Sequence, residues 1–343
     1  MNKIYNLLDE TYVTKLFKKE VLPQYPGFID IKKINIIPIK KYIWQTTYHV
    51  VLEFKTTFIR IDKKIKKLSL FCSAHSSEPR KNSFAALKYL WDNNFSKGNL
   101  TSPRPLFFSK NFNAFFYRGV KGNSLYYFIH EKKLSEIEQI IPKAADLLAK
   151  LHDLPSKRAK NFNQENSRVE TVIPGMYIIL ERIKNIQPNF YPLYKNIYRI
   201  INHKEKEFFS GTKRRWLIHG DAHPENIIKV SKNKIAIIDF TDICLADFAR
   251  DLGSFLQQLE FMGQRKINDP NYIKKIQNLF LENYLTKAEI TLNDSLKDRI
   301  KYYYNWTALR TATFFLLKEK SEPNRARGLI EKICQELNIN FVL

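Results

Sequence analysis

Only three of the 343 residues are cysteine, Cys72, Cys244 and Cys334, and their spacing suggests neither a pair nor a metal set. A disulfide framework and a thiolate-metal module are therefore excluded, and reduced, buried thiols in a reducing compartment are expected. No apolar run is long enough to cross a bilayer. The N-terminus mixes charge with polarity and has no apolar leader core. The expectation is a cytoplasmic protein with no membrane span. Glycine is also scarce, with 10 residues, and none falls between Phe28 and Lys97, where a strand-rich segment begins. Acidic residues are few: 34 Asp and Glu stand against 57 Lys and Arg, for a formal charge of +23. Such a balance favours anionic partners. The basic residues are spread along the chain, however, and only Lys63, Lys64, Lys66 and Lys67 approach a block. No nucleic-acid-binding motif accompanies them, so nucleic acid is not an expected partner.

What is present is enough apolar material to fold. The chain is 44% hydrophobic and 14% aromatic, and its length suits two packed lobes. A leading helical segment ends at Pro23 and Pro26, with Ile4, Leu7, Leu8, Tyr12, Leu16 and Phe17 near one face. Alternation and β-branched content then predict strands over Ile34–Ile39, Thr46–Phe54, Phe58–Ile61 and Leu68–Ala74, with a turn over Lys40–Gln45. A helix over Glu78–Asn93 directs Phe84, Leu87, Leu90 and Trp91 to the sheet. Two further strands, Leu106–Phe108 and Ala114–Tyr117, lead into Arg118-Gly119-Val120-Lys121-Gly122. Beyond Ser124 the pattern is helical, apart from a basic, polar loop over 155–175 and the stretch Trp216–Asp242. The last helices span Leu252–Met262, Tyr272–Leu285, Leu296–Lys318 and Arg325–Leu337, and the third carries the aromatic cluster Tyr302, Tyr303, Tyr304 and Trp306. That cluster suits either a substrate wall or core packing.

The chain is organised around Trp216–Asp242. Two apolar runs, Ile227–Val230 and Ile235–Ile238, flank Ser231–Lys234 and predict a β-hairpin with a four-residue turn. Asn226 and Asp239 bracket its open end. An amide and a carboxylate oxygen suit a hard cation such as Mg2+, which takes few protein oxygens together with substrate phosphates. Asp221 precedes Asn226 by five residues on the incoming loop. A carboxylate there can orient a hydroxyl nucleophile and accept its proton.

His219-Gly220-Asp221-Ala222-His223-Pro224-Glu225-Asn226, followed by Ile238-Asp239-Phe240, resembles the aminoglycoside phosphotransferase and choline kinase family. That family writes the two segments H-G-D-x-H-x-x-N and I-D-F. Leu147-Leu148-Ala149-Lys150-Leu151-His152 resembles its L-x-x-L-H element. The resemblance implies an α+β, protein-kinase-like two-lobed fold. An antiparallel N-lobe with its leading helix would occupy 1–120, and a mainly helical catalytic and substrate lobe 121–343. It implies ATP or GTP with Mg2+ as cofactors and a small-molecule hydroxyl compound as acceptor. Asp221 would be the base, with Asn226 and Asp239 as the metal ligands. Arg118 and Val120 would hold the adenine edge through their main chain. His223 and Asp242 would face the substrate, and Asp251 would tie the catalytic loop by hydrogen bonds, with Asp247 capping the following helix.

One departure stands out. The strand Leu68–Ala74 occupies the place of the strand that carries the family's phosphate-anchoring lysine, and the best register puts Ser73 there. A serine supplies no positive charge. Either another lysine reaches in (Lys67, Lys55, Lys40 or Lys41), or the register differs, or the chain is a degenerate kinase acting as a nucleotide-sensing or partner-binding module.

Overall fold

A computed structural model describes residues 2–78, 80–155 and 161–341. Positions 156–160 of the expected 155–175 loop lie outside them. The chain divides into two compact units, Met1–Gly122 with Val230–Thr241, and Asn123–Lys229 with Asp242–Leu343.

The first unit is built on a five-stranded sheet. After helix α1 (Glu10–Glu20) come β1 (Phe28–Ile43), β2 (Tyr48–Arg60) and β3 (Ile65–His75). Helix α2 (Arg80–Leu90), the short β4 (Leu100–Thr101), β5 (Arg104–Ser109) and β6 (Ala114–Arg118) complete it. The order β1-β2-β3-β6-β5 is antiparallel at every pairing. Along β2 every even-numbered residue from Tyr48 to Phe58 is buried, the period of two that a pleated strand imposes. That even face packs on α1, where Phe17 meets Phe54 at 5.1 Å and Phe116 at 6.0 Å. The odd face carries α2, whose Phe84 ring lies 6.3 Å from Phe108.

Three expectations need correction here. The two strands expected over Thr46–Phe54 and Phe58–Ile61 are one, Tyr48–Arg60, which runs through the wholly buried Thr56, whose hydroxyl donates to the Phe54 carbonyl at 3.2 Å. The first turn falls at Trp44–Thr47, closed by Trp44 N–H donating to Thr47 C=O at 2.9 Å, because β1 runs on through Lys40–Ile43. Helix α2 spans Arg80–Leu90 and not Glu78–Asn93, so Trp91 lies beyond it; it buries Arg80, Ser83, Ala86, Leu87 and Leu90, and the half-buried Phe84 meets the sheet as expected.

The first unit also receives β10 (Ile235–Ile237), which pairs in parallel with β4. The turn before it closes through Val230 N–H donating to Lys234 C=O at 2.8 Å, as the hairpin pattern predicts.

The second unit opens with β7 (Asn123–Ser124), α3 (Leu125–His130), α4 (Leu134–His152), α5 (Met176–Ile186) and α6 (Tyr191–Ser210). Strands β8 (Trp216–Ile218), β9 (Ile227–Lys229) and β11 (Cys244–Ala246) carry the motif region. Helices α7 (Ala249–Lys266), α8 (Pro270–Ala288), α9 (Asp294–Leu317) and α10 (Pro323–Glu336) follow. Helix α4 packs on α8, α7 on α9, and α10 on α9. Strand β8 pairs antiparallel with β11, and β7 with β9. The Tyr302–Trp306 cluster is mostly framework: Tyr303 and Trp306 are buried, and the Tyr303 and Tyr304 hydroxyls donate to Glu205 at 3.1 Å and Glu260 at 2.7 Å. Among the described residues no helix is long and apolar enough to cross a membrane.

Candidate active site

In the second unit the loop from His219 to Asn226 is held from below by one buried carboxylate. Asp251, in the first turn of α7, has no exposed surface. Its Oδ2 accepts from His219 N–H at 2.7 Å and its Oδ1 from Gly220 N–H at 2.9 Å. Oδ2 also meets His152 Nε2 at 3.0 Å, while His152 Nδ1 meets the Tyr284 hydroxyl at 2.7 Å. Burial alone pushes the Asp251 carboxyl upward, but the His152 hydrogen bond and the neighbouring His152 and His219 outweigh it and hold the group low. Asp251 is therefore the tie that the resemblance implies, and His152 at the end of α4 is a packed structural histidine. The glycine of the motif is a steric requirement. Gly220 has φ +84°, and a Cβ there would lie 2.3 Å from the Asp242 carbonyl oxygen.

On this anchor sit three of the candidate residues, joined to one another. Asn226 is buried, and its Nδ2 donates to the Asp221 carbonyl at 3.0 Å and lies 3.0 Å from His223 Nε2. His223 Nε2 also lies 3.4 Å from Asp221 Oδ2. With its amide nitrogen used in this way, Asn226 retains its oxygen as the atom available to a cation. The Asp221 carboxyl lies well below the usual range. Burial raises it, but the His223 hydrogen bond and the His223, Arg310 and His219 charges outweigh that. It is ionised at neutral pH. Asp242 stands on the opposite side of Gly220, and its Oδ1 accepts from Asn166 Nδ2 at 3.0 Å. Asp247 is buried and pairs with Arg299 at 2.6 Å. The N-cap of α7 is Phe248 and not Asp247 as expected; Asp247 Oδ1, two residues before the helix begins, accepts from Ala249 N–H at 3.1 Å.

Asp221, His223 and Glu225 border a cleft of about 460 Å3 whose other walls come from α7, α9 and the start of α10. Helix α9 contributes Thr307, Arg310, Thr311, Phe314 and Phe315, a spacing that places them on one face, and Lys318 follows as its C-cap. Arg265 and Arg325 complete its charged lining. None of these basic residues is singled out by the motifs, although the three- and four-residue period along α9 was available to find those on that helix.

In the first unit, Asp239 follows β10 with φ +62°, and its Oδ1 accepts from the Thr241 hydroxyl. Burial drives the Tyr117 phenol far upward. The Asp239 carboxylate adds to that shift and the Arg80 guanidinium opposes it. Among the described residues no cluster of three or more His, Cys, Asp or Glu forms a self-sufficient metal cage. Asn226 in the second unit carries an amide oxygen and Asp239 in the first a carboxylate oxygen, and both are hard donors.

Arg118 ends β6 in register with Leu70 on one side and Arg104 on the other, and Val120 lies just beyond the strand. Between them Gly119 has no room for a side chain, since a Cβ would lie 2.2 Å from the Phe71 ring.

Register sorts the lysines proposed to replace the missing one. Ser73 pairs with Val51 and Val51 with Lys40, so the three share one row on the α2 face. Two strand spacings separate Lys40 from Ser73, about 10 Å. Lys41 pairs with Val50 on the other face. Lys55 and Lys67 lie on the α2 face but four and six residues along the sheet, about 13 and 20 Å from the Ser73 row. Arg80 also reaches this region from α2. It is 4% exposed, and its Nη2 contacts Glu78 Oε2 at 2.9 Å and His49 Nε2 at 3.4 Å. Its buried Nε has no partner among the described residues. Burial together with Lys40, Arg80 and His75 lowers the His49 imidazole to about 4, against the opposing pull of Glu78. His75, 4.7 Å from His49 ring to ring, is lowered by burial and the same two cations.

A sequence profile described as "Phosphotransferase enzyme family" matches residues 46–284. No curated protein sequence matches the chain. Among solved structures, choline kinase from Cryptosporidium parvum Iowa II superposes with a TM-score of 0.61 at 13% identity, over 96% of this chain and 95% of that one. A choline/ethanolamine kinase family protein from Mesorhizobium loti gives 0.55 at 12%, over 95% and 94%. A spectinomycin phosphotransferase in complex with ADP and spectinomycin gives 0.51 at 14%, over 96% and 94%. At such identities the likeness is one of fold, and the fold is the kinase-like one.

Proposed function

The chain belongs to the phosphotransferase enzyme family, and from that premise we propose that it is a small-molecule kinase moving the γ-phosphoryl group of ATP or GTP to a hydroxyl. The observation that carries this reading is the joined set Asp221–His223–Asn226, anchored on Asp251 and opening on a cleft that can hold an acceptor. Asp221 accepts a hydrogen bond from the acceptor hydroxyl, aims its oxygen and takes its proton as the bond to phosphorus forms. A carboxylate held this low is a weak base. It suits a loose transition state, in which the proton leaves late and positioning supplies most of the acceleration. His223 keeps Asp221 oriented and ionised. Gly220 and Asp251 keep the loop from drifting.

Asn226 and Asp239 are the residues that would hold Mg2+, and a bound magnesium ion would neutralise charge on the phosphates. Val120, just past the end of β6, offers main-chain groups to the adenine edge, with Arg118 beside it. In place of the family's strand lysine, Lys40 and Arg80 supply the positive charge for the phosphates. Arg80 suits that task through a buried guanidinium whose Nε has no partner among the described residues, and through two neighbouring imidazoles held neutral.

The other reading, a degenerate kinase that binds nucleotide without turnover, rests on Ser73. The two readings separate by experiment. Thermal stability is measured with ATP or GTP, with and without Mg2+, on wild type and Asp239→Ala. A magnesium-dependent rise that the variant loses supports the nucleotide site. Acceptor-dependent ADP release, lost in Asp221→Asn, then supports turnover. A nucleotide shift without release under any acceptor would favour the degenerate reading.

A further inference from the structure

The cleft beside Asp221 has the wrong charge for a cationic acceptor. Its lining holds four basic side chains, Arg265, Arg310, Lys318 and Arg325, against two carboxylates, Asp221 and Glu225. Asp221 is committed to the hydroxyl. The other acids that a polycation could have used are engaged elsewhere or stand apart from the cleft. Glu260 accepts from Tyr304 and pairs with Lys332, and neither Asp242 nor Glu282 lines the cleft.

The cations, in contrast, are held ready. Arg310 stacks over Trp306 at 5.0 Å and Arg265 lies 5.4 Å from the Phe261 ring centre, and among the described residues neither has a carboxylate partner. Lys318 and Arg325 share the single carboxylate of Glu322 and both lie over Phe315. Arg325 also keeps a buried Nη2 with no partner among the described residues. Aromatic faces hold a cation in place while leaving its N–H groups open to a better acceptor. Arg310 lines the same cleft as Asp221.

We infer that the acceptor is a hydroxylated anion, a compound carrying a carboxylate or phosphate group that Arg310 and Arg265 grip while its hydroxyl lies at Asp221. The inference rests on the kinase reading for the hydroxyl and on the cleft alone for the anion. Apolar parts of the acceptor would lie on Phe261, Phe314 and Phe315. The charge-assisted bonds from guanidinium to carboxylate or phosphate supply both affinity and orientation.

The test compares matched compounds that differ in charge. Glycerate is set against glycerol, gluconate against glucose, and choline, ethanolamine and kanamycin stand for cations. Binding to the full chain is followed by calorimetry without nucleotide, and phosphoryl transfer by ADP release with Mg-ATP. The expected result is binding of the anions about tenfold or more tighter than their neutral partners. Arg310→Gln should raise the acceptor KM by about tenfold or more, with a smaller effect on kcat. Arg310→Lys should recover part of that loss, and the preference should weaken with added salt. Equal binding of glycerol and glycerate, phosphorylation of choline or kanamycin in preference to the anions, no binding by any anion tested, or an unmoved KM in Arg310→Gln would overturn the inference. The two readings fail separately. An intact magnesium–nucleotide shift without anion preference removes only the acceptor class. Anion binding lost in Arg310→Gln, with no nucleotide shift, leaves the anion site standing and removes the kinase.

Discussion

Replacing Asp251 by asparagine tests the anchor of the catalytic loop at a single atom. The wild-type carboxylate gives one oxygen to Gly220 N–H and the other to His219 N–H and His152, all without solvent exposure. Asparagine keeps the shape but turns one oxygen into an NH2, so one loop amide must face another donor. A buried donor left without a partner costs about 1–3 kcal/mol. Loss of the charge beside His152 adds to this, toward the roughly 3–5 kcal/mol seen when one member of a buried pair is removed. A local penalty of about 3 kcal/mol speeds opening of the loop about a hundredfold. Amide hydrogen exchange at His219 and Gly220 reads this directly, because those two N–H groups are the ones released. Exchange should accelerate by about two orders of magnitude at both, while amides in the α1-facing sheet keep their rates. Wild-type exchange at His219 and Gly220 in Asp251→Asn would refute the reasoning, since it would mean that the loop holds its shape without the carboxylate. His152→Ala, which removes only the outer partner, should accelerate exchange by a smaller factor.

Further outcomes follow from the same geometry. Gly220→Ala must fit a Cβ 2.3 Å from the Asp242 carbonyl at φ +84°. It should cost about 2 kcal/mol or more and lower kcat more than it changes nucleotide affinity, as measured by denaturation and steady-state kinetics. The His49 imidazole is held down to about 4, below its ordinary value near 6.5, so the unfolded chain takes up that proton first. Its contribution is present above about pH 6.5 and is lost as the pH falls toward 4. Melting temperature measured between pH 7.5 and 5 should therefore fall less steeply in His49→Gln, and an identical slope would count against the cluster. Lys40→Ala should weaken the magnesium-dependent nucleotide shift more than Lys67→Ala, since only Lys40 shares the Ser73 row. Equal losses from the two would remove the proposed phosphate anchor.

Much of this was legible in order of residues alone. The H-G-D-x-H-x-x-N and I-D-F segments pointed to the family, and the α+β division of the chain followed from alternating strands giving way to a helical period. The tie through Asp251 was also implied by the resemblance, and the L-x-x-L-H wording marked His152 without giving its role. Strand limits were less legible. A buried threonine such as Thr56 looks like a break in an apolar pattern, and only the structure shows β2 running through it.

Short spacings along one loop are enough to bring Asp221, His223 and Asn226 within reach of one another, so residue order already pointed to that set. Only packing shows which distant charges line the cleft beside that loop. Arg265 comes from α7, Arg310 from α9, Lys318 from just past its end and Arg325 from α10. In a chain with 57 basic residues no motif marks these four in advance. Their place on one cleft separates them from the rest, and that is a property of packing.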